Sequence, residues 1–270
     1  MSSLKRHSFS IFEPNHLIYI EGHRGQNRIF YQNTLKSFSK AISNSLDSIE
    51  FDVWLTKDKI PVIMHGGDDG ELFPHFKVKN KKLLVNNITF EEIRKLEFKK
   101  DAEQKIPSLE EVLDLCKDKI FLNIELKDAQ IEETFNIVVK LIEDRNMFNQ
   151  IDISSFHHGY YKYVEKYNEE HPNKIEFGYL YYDQKDKEFI PYNYEHSGST
   201  MNVYHEDVTK EMVEKAHKNN IPVMIWMKFA DEESDKDYKK LLELGVDCIC
   251  CNQPDKAKKY RDNIFYKNNK

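Results

Sequence analysis

The chain has 270 residues and a formal net charge of −6, with 46 acidic and 40 basic side chains interspersed along it. That length suits one large α/β domain, residues 1–270, and the mixed, slightly acidic charge offers no basic stripe for nucleic acid. No run approaches the roughly 18 consecutive apolar residues that cross a bilayer, and Met1 to Pro14 lack the apolar stretch of a secretory signal, so a cytoplasmic protein is expected.

Short β-rich apolar runs recur in chain order at Leu17–Glu21, Ser48–Trp54, Phe121–Leu126, Ile151–Ser155, Glu176–Tyr181, Thr200–Tyr204, Pro222–Met227 and Cys248–Cys251. Helical spacing separates several of them, at Asn33–Ser43, Ser108–Cys116, Ile131–Arg145, Thr209–Lys218 and Glu233–Leu244. Ser108 with Glu111 reads as a capping box, and Gly245 stands where a helix ends. Eight strands alternating with helices predict a closed (β/α)8 TIM barrel.

A ninth run, Ile60–His65, follows the second strand too closely for a parallel crossover, which needs a dozen or more residues. It therefore reads as a hairpin arm returning His65 to the barrel mouth. Residues 66–105 then interrupt the alternation as a capping insertion, with a glycine-rich turn, the basic run Lys77–Lys82 and a short helix at Thr89–Leu96. Cys116, Cys248, Cys250 and Cys251 have neither disulfide nor zinc spacing and read as buried reduced thiols. Tyr266 to Lys270 read as a frayed tail.

The chemistry gathers at strand ends, where barrel enzymes carry their active sites. His23-Arg24 after the first strand offers an imidazole that titrates near neutrality and a guanidinium suited to phosphate oxygens. Glu50 and Asp52, two apart in a strand, share a face, as do Glu125 and Lys127. Adjacent carboxylates repel unless a cation joins them, so Glu50, Asp52 and Glu125 are candidate ligands for a hard divalent ion, Mg²⁺ or Ca²⁺. His157 and His158 read as loop residues, and Trp226 as a possible apolar wall for substrate or a core aromatic.

The ordered set His23-Arg24-Gly25, Asn33-Thr34-Leu35, Ile49 to Val53, Leu55 to Asp58, Pro61 to His65, Ile106 to Leu113, Asn123 to Lys127, Trp226 and Gly245-Val246-Asp247 resembles the glycerophosphodiester phosphodiesterase family over nearly the whole chain. The resemblance implies a (β/α)8 barrel that turns a glycerophosphodiester and water into glycerol 3-phosphate and an alcohol such as choline, ethanolamine or inositol. By the same resemblance Glu50, Asp52 and Glu125 would hold the metal, His23 and His65 would be general acid and base, and Arg24 and Lys127 would contact phosphate. The chain departs from the family pattern at Gln32 and Gly66, each in place of a carboxylate, and at Met227 after Trp226. Two other readings stand beside it: a lysophospholipase D acting on acylated substrates, with peripheral membrane contact through the lysine run, and a barrel that binds without catalysis.

Overall fold

The computed structural model of the protein describes residues 17–183, 199–228 and 233–268. Eight parallel strands close into a barrel: β1 (Tyr19–His23), β2 (Ser48–Leu55), β4 (Phe121–Leu126), β5 (Ile151–Ser155), β6 (Glu176–Tyr181), β7 (Ser199–Tyr204), β8 (Val223–Trp226) and β9 (Cys248–Cys251). Pairing of β1 with both β9 and β2 completes the ring. β1 runs two residues later than its sequence pattern predicts, which makes His23 its last residue. The short β3 (Pro61–Ile63) lies antiparallel on β2, so the run leading to His65 is an arm outside the parallel ring, as its spacing requires.

The strand faces divide as period-two alternation demands. Ile49, Phe51 and Val53 are fully buried in the main apolar cluster, where Phe51 packs 5.5 Å from the Phe38 ring of α1 (Leu35–Ser43). The alternate residues face the barrel axis and form a polar layer: Ser48 and Asn123 donate to Glu21, and Ser154 donates to Asn123. Thr34 caps α1, and the predicted capping box of Ser108 and Glu111 opens α3 (Leu109–Cys116). α4 (Ile131–Arg145), α6 (Lys210–Lys218) and α7 (Asp235–Leu244) lie where helical spacing places them, and α7 ends on Gly245 at φ 72°.

Two helices fall outside the stretches that helical spacing predicts. α5 (Tyr161–Glu170) buries only Tyr161 and Val164. α8 (Pro254–Asn268) is seated partly by an arginine: buried Arg261 donates through Nη1 to Ile18 O at 2.9 Å and also pairs with Asp47. The helix includes Tyr266 to Asn268, so the tail read there as frayed is helical to Asn268. Met1 to Pro14 and the last two residues lie outside the described residues. All four cysteines are buried free thiols.

Residues 66–105 fold against the outside of β2 and β3. Leu72, Phe76, Val85, Ile93 and Phe98 join Trp54, Val62, Met64 and Ile106 in a second apolar cluster, with α2 (Phe90–Arg94) as its short helix. This packing brings Asp68, Pro74, His75 and Lys100 to the wall of the central cavity. No helix among the described residues is long and apolar enough to cross a membrane.

Candidate active site

Strand register assembles the centre. His23 pairs with Glu50 across β1 and β2, and Asp52 with Glu125 across β2 and β4, so four side chains from three strands converge at the carboxyl ends of the barrel. One ligand oxygen from each of Glu50, Asp52 and Glu125 lies within 4.8 Å of the other two. Glu50 and Glu125 line, with His23, Arg24, His65, Lys127 and Trp226, a cavity of about 730 Å³. Asp52 sits beneath its floor, fully buried.

Charge in this centre is only partly balanced. Arg24 Nε stands 3.1 Å from Asp52 Oδ2, and Lys127 Nζ is 3.0 Å from Glu125 Oε1 and 3.5 Å from Asp52 Oδ1. Asn33 Nδ2 donates to Asp52 Oδ2 at 2.8 Å, and the Arg24 backbone N–H donates to Glu50 Oε2 at 3.0 Å. Burial would raise the Asp52 carboxyl, but Arg24, His65, Lys127 and Asn33 hold it well below the usual carboxylate range. Burial, then Asp52 and Glu125, push Glu50 well above it. Glu50 Oε1 and Asp52 Oδ1 are buried without a hydrogen-bond donor among the described residues. Two unsatisfied carboxylate oxygens in a three-carboxylate cluster with two cations fit a hard divalent ion, whose ligands are oxygens.

The histidines are held by acceptors behind them. His23 Nδ1 lies 3.0 Å from Asn252 Oδ1 at the end of β9, and His65 Nδ1 lies 2.9 Å from the Gly66 carbonyl. A carbonyl oxygen only accepts, so each neutral imidazole carries its proton on Nδ1 and keeps a lone pair on Nε2. Nε2 of His23 lies 3.8 Å from Glu50 Oε2. Burial lowers the pKa of both rings, that of His65 to about 3.

Three contributors are not legible in the sequence. Asn252 is oriented by Glu233, whose Oε1 accepts both its backbone N–H and its Nδ2 at 2.7 Å. Asn27 Nδ2 donates to the His23 carbonyl at 2.9 Å and also bonds Asn252 Oδ1. His75, from the segment 66–105, accepts on Nδ1 from Tyr31 OH at 2.9 Å and from Gln32 Nε2 at 3.3 Å, while Gln32 Oε1 accepts from Arg24 Nη1 at 2.8 Å. Gln32 thus ties Arg24 to that segment through an uncharged amide where the family pattern has a carboxylate. Trp226 is half-buried, donates Nε1 to Tyr181 O at 3.1 Å, and packs edge-on against Phe156 and tilted against Tyr182 and Tyr204. His157 and His158 do not line the cavity, and Met227 is fully buried behind it.

A closed parallel barrel with carboxylates, imidazoles and cations converging on one cavity at its carboxyl mouth defines an enzyme of the (β/α)8 class. The model of the glycerophosphoryl diester phosphodiesterase family matches residues 23–256. The chain belongs to that family and is a phosphoric diester hydrolase. It is 32% identical to a glycerophosphodiester phosphodiesterase of Bacillus altitudinis, over 91% of this chain and 98% of that one. A glycerophosphodiester phosphodiesterase of Caldanaerobacter subterraneus subsp. tengcongensis is 29% identical over 86% of this chain and 93% of its own. Among solved structures, one from Galdieria sulphuraria, assigned to the glycerophosphodiester phosphodiesterases, superposes with a TM-score of 0.79 at 26% identity, covering 91% of this chain and 99% of the other.

Proposed function

We propose that the protein is a divalent-cation-dependent glycerophosphodiesterase that releases glycerol 3-phosphate and an alcohol, and that residues 66–105 serve as a wall of its mouth within a single barrel domain. The observation that carries this reading is the cluster Glu50, Asp52 and Glu125, two of whose buried oxygens have no hydrogen-bond donor, in one cavity with two histidines whose Nε2 lone pairs are free to accept. Glu50, Asp52 and Glu125 would hold Mg²⁺ or Ca²⁺; when bound, such an ion supplies Lewis-acid neutralisation of phosphoryl charge. Arg24 and Lys127 flank the same oxygens and suit the remaining phosphoryl charge.

One histidine Nε2 takes the proton of the attacking hydroxyl, from water or from the substrate's own glycerol. The other, protonated, gives its proton to the departing alkoxide, so the two exchange roles over a cycle and no net proton is consumed at the rings. Depressed ring pKa values suit the base, because the accepting form is then populated at neutral pH. Release of glycerol 3-phosphate from glycerophosphocholine, glycerophosphoethanolamine and glycerophosphoinositol with Mg²⁺, Ca²⁺ or Mn²⁺ tests the reading. Failure with every substrate and ion would leave a barrel that binds phosphodiesters without cleaving them.

A second substrate reading, lysophospholipase D, draws on the aromatic wall of Phe156, Tyr182 and Trp226, with Phe156 and Tyr182 43% and 47% exposed. Leu72 and Phe76 give it no support, since both are buried in the outer cluster. Choline release from lysophosphatidylcholine but not from glycerophosphocholine would favour the acylated substrate.

A further inference from the structure

Five large apolar side chains are exposed among the described residues, and their distribution is uneven. Leu17 precedes the barrel, whereas Ile29, Phe30, Phe156 and Tyr182 follow β1, β5 and β6 at the carboxyl face, which carries the cavity mouth. Phe156 and Tyr182 belong to the cavity wall, so substrate contact explains their exposure. It does not explain Ile29 and Phe30, 50% and 36% exposed, which lie beside cavity-lining Arg28 but outside the cavity itself.

Exposed basic side chains stand near the same mouth, although the chain as a whole is acidic. Lys81 and Lys99 stand 4.9 and 3.5 Å over the ring of Phe73, immediately before the cavity-lining Pro74 and His75. Lys100, the residue after Lys99, lines the mouth. Both Lys81 and Lys99 are exposed. Arg28 and Lys228 add exposed positive charge to the mouth; of the acidic side chains that line the cavity, Glu21, Glu50 and Glu125 are buried and Asp68 is exposed. Exposed aliphatic and aromatic groups interleaved with lysines are the composition of a surface that rests at a membrane interface. The apolar groups enter the acyl boundary while the ammonium groups meet anionic headgroups.

We propose that the mouth face of the barrel docks on a lipid bilayer carrying anionic headgroups, with Ile29 and Phe30 as the inserted side chains and Lys81 and Lys99 as headgroup contacts. A small, freely diffusing diester is served by charge inside the cavity and gains nothing from apolar groups outside it; a bilayer is served by both. Docking depends on the fold and the rim, and not on the reaction proposed above.

Co-sedimentation of the full chain with phosphatidylcholine vesicles, with and without phosphatidylglycerol, tests the proposal. The bound fraction is expected to rise about tenfold or more with phosphatidylglycerol and to fall with added salt. Ile29→Ser with Phe30→Ser, and separately Lys81→Glu with Lys99→Glu, should each lower binding about tenfold while turnover of a soluble glycerophosphodiester stays at the wild-type level. Equal binding to neutral and anionic vesicles, no binding to either, or undiminished binding by both double variants would overturn it. Vesicle binding by a protein inactive on every soluble diester would instead remove the reaction and leave the docking surface standing.

Discussion

The side-chain oxygen of Asn252 lies 3.0 Å from Nδ1 of His23, and the other end of the same amide fixes which atom that is. Asn252 Nδ2 donates to Glu233 Oε1 at 2.7 Å and to Met227 O at 3.2 Å, two groups that only accept. Oδ1 must therefore face His23, and the ring must carry its proton on Nδ1. Glu233, the residue before the cap of α7, thus sets the tautomer of a histidine on β1 through one asparagine just past the end of β9.

Asn252→Ala removes that acceptor and frees the ring to rotate or change tautomer. The expected result is a kcat lower by about 10- to 100-fold with a much smaller change in KM, the usual scale for groups that orient a catalytic side chain. His23→Ala should cost about 10² or more. Steady-state kinetics on folded variants checks both, and an Asn252→Ala enzyme with wild-type kcat would show that His23 needs no such support.

The carboxylate cluster predicts a stability signature independent of activity. Without a divalent ion, Glu50, Asp52 and Glu125 repel one another at close range, and Glu50→Gln relieves part of that repulsion, so the variant should melt higher than wild type in chelator. With Mg²⁺ or Ca²⁺ at about a hundred times its dissociation constant, the wild type should gain about 2.7 kcal/mol, and the variant clearly less. Thermal melts with and without ion decide it; equal gains would show that the ion does not bind through Glu50.

Glu21 gives a pH dependence below the cluster. Burial, only partly offset by hydrogen bonds from Asn123 and Ser48, raises its carboxyl above the ordinary glutamate value of 4.5. The folded state therefore holds this proton more tightly than the unfolded chain. Its contribution is fully present below about pH 4.5 and is lost as pH rises through the raised folded value. Glu21→Gln, neutral throughout, lacks that loss, so its stability relative to wild type should improve from acid to mildly alkaline pH. Urea denaturation in chelator at the two ends of that range measures the difference, and a constant gap would exclude Glu21 as the titrating group.

Period-two alternation was enough to place Glu50 with Asp52 and Glu125 with Lys127, because side-chain direction along a strand is a local property. Crowding of a run too short for a crossover was enough to set β3 outside the ring. The partners that orient the site are different in kind. Asn252 meets His23 across 229 residues, and only closure of β9 onto β1 brings them together. His75 lies in a segment without periodicity, held by a cluster outside the barrel. α8 eluded the apolar pattern because a buried arginine, whose value depends on Asp47 and the Ile18 carbonyl, helps to seat it.

Gly66 carries the last prediction. Its φ of 71° lies in the left-handed region, and a Cβ there would stand 3.0 Å from the Gly70 Cα. Its carbonyl accepts from His65 Nδ1, and the His75 ring lies edge-on 6.1 Å from the His65 ring, so the turn sets an imidazole in the site through a peptide conformation that glycine adopts freely. Gly66→Ala should cost about 1–3 kcal/mol of stability through the backbone alone, and in shifting the carbonyl it should lower kcat through His65. His75→Phe separates the two effects: it removes the acceptor of Tyr31 and Gln32 beside His65, keeps a ring against Tyr31, and leaves the left-handed turn intact. A loss of kcat in both variants, with a large loss of stability confined to Gly66→Ala, is the expected pattern. If Gly66→Ala melts early yet turns over at the wild-type rate at low temperature, the carbonyl does not orient His65, and the glycine serves only the turn.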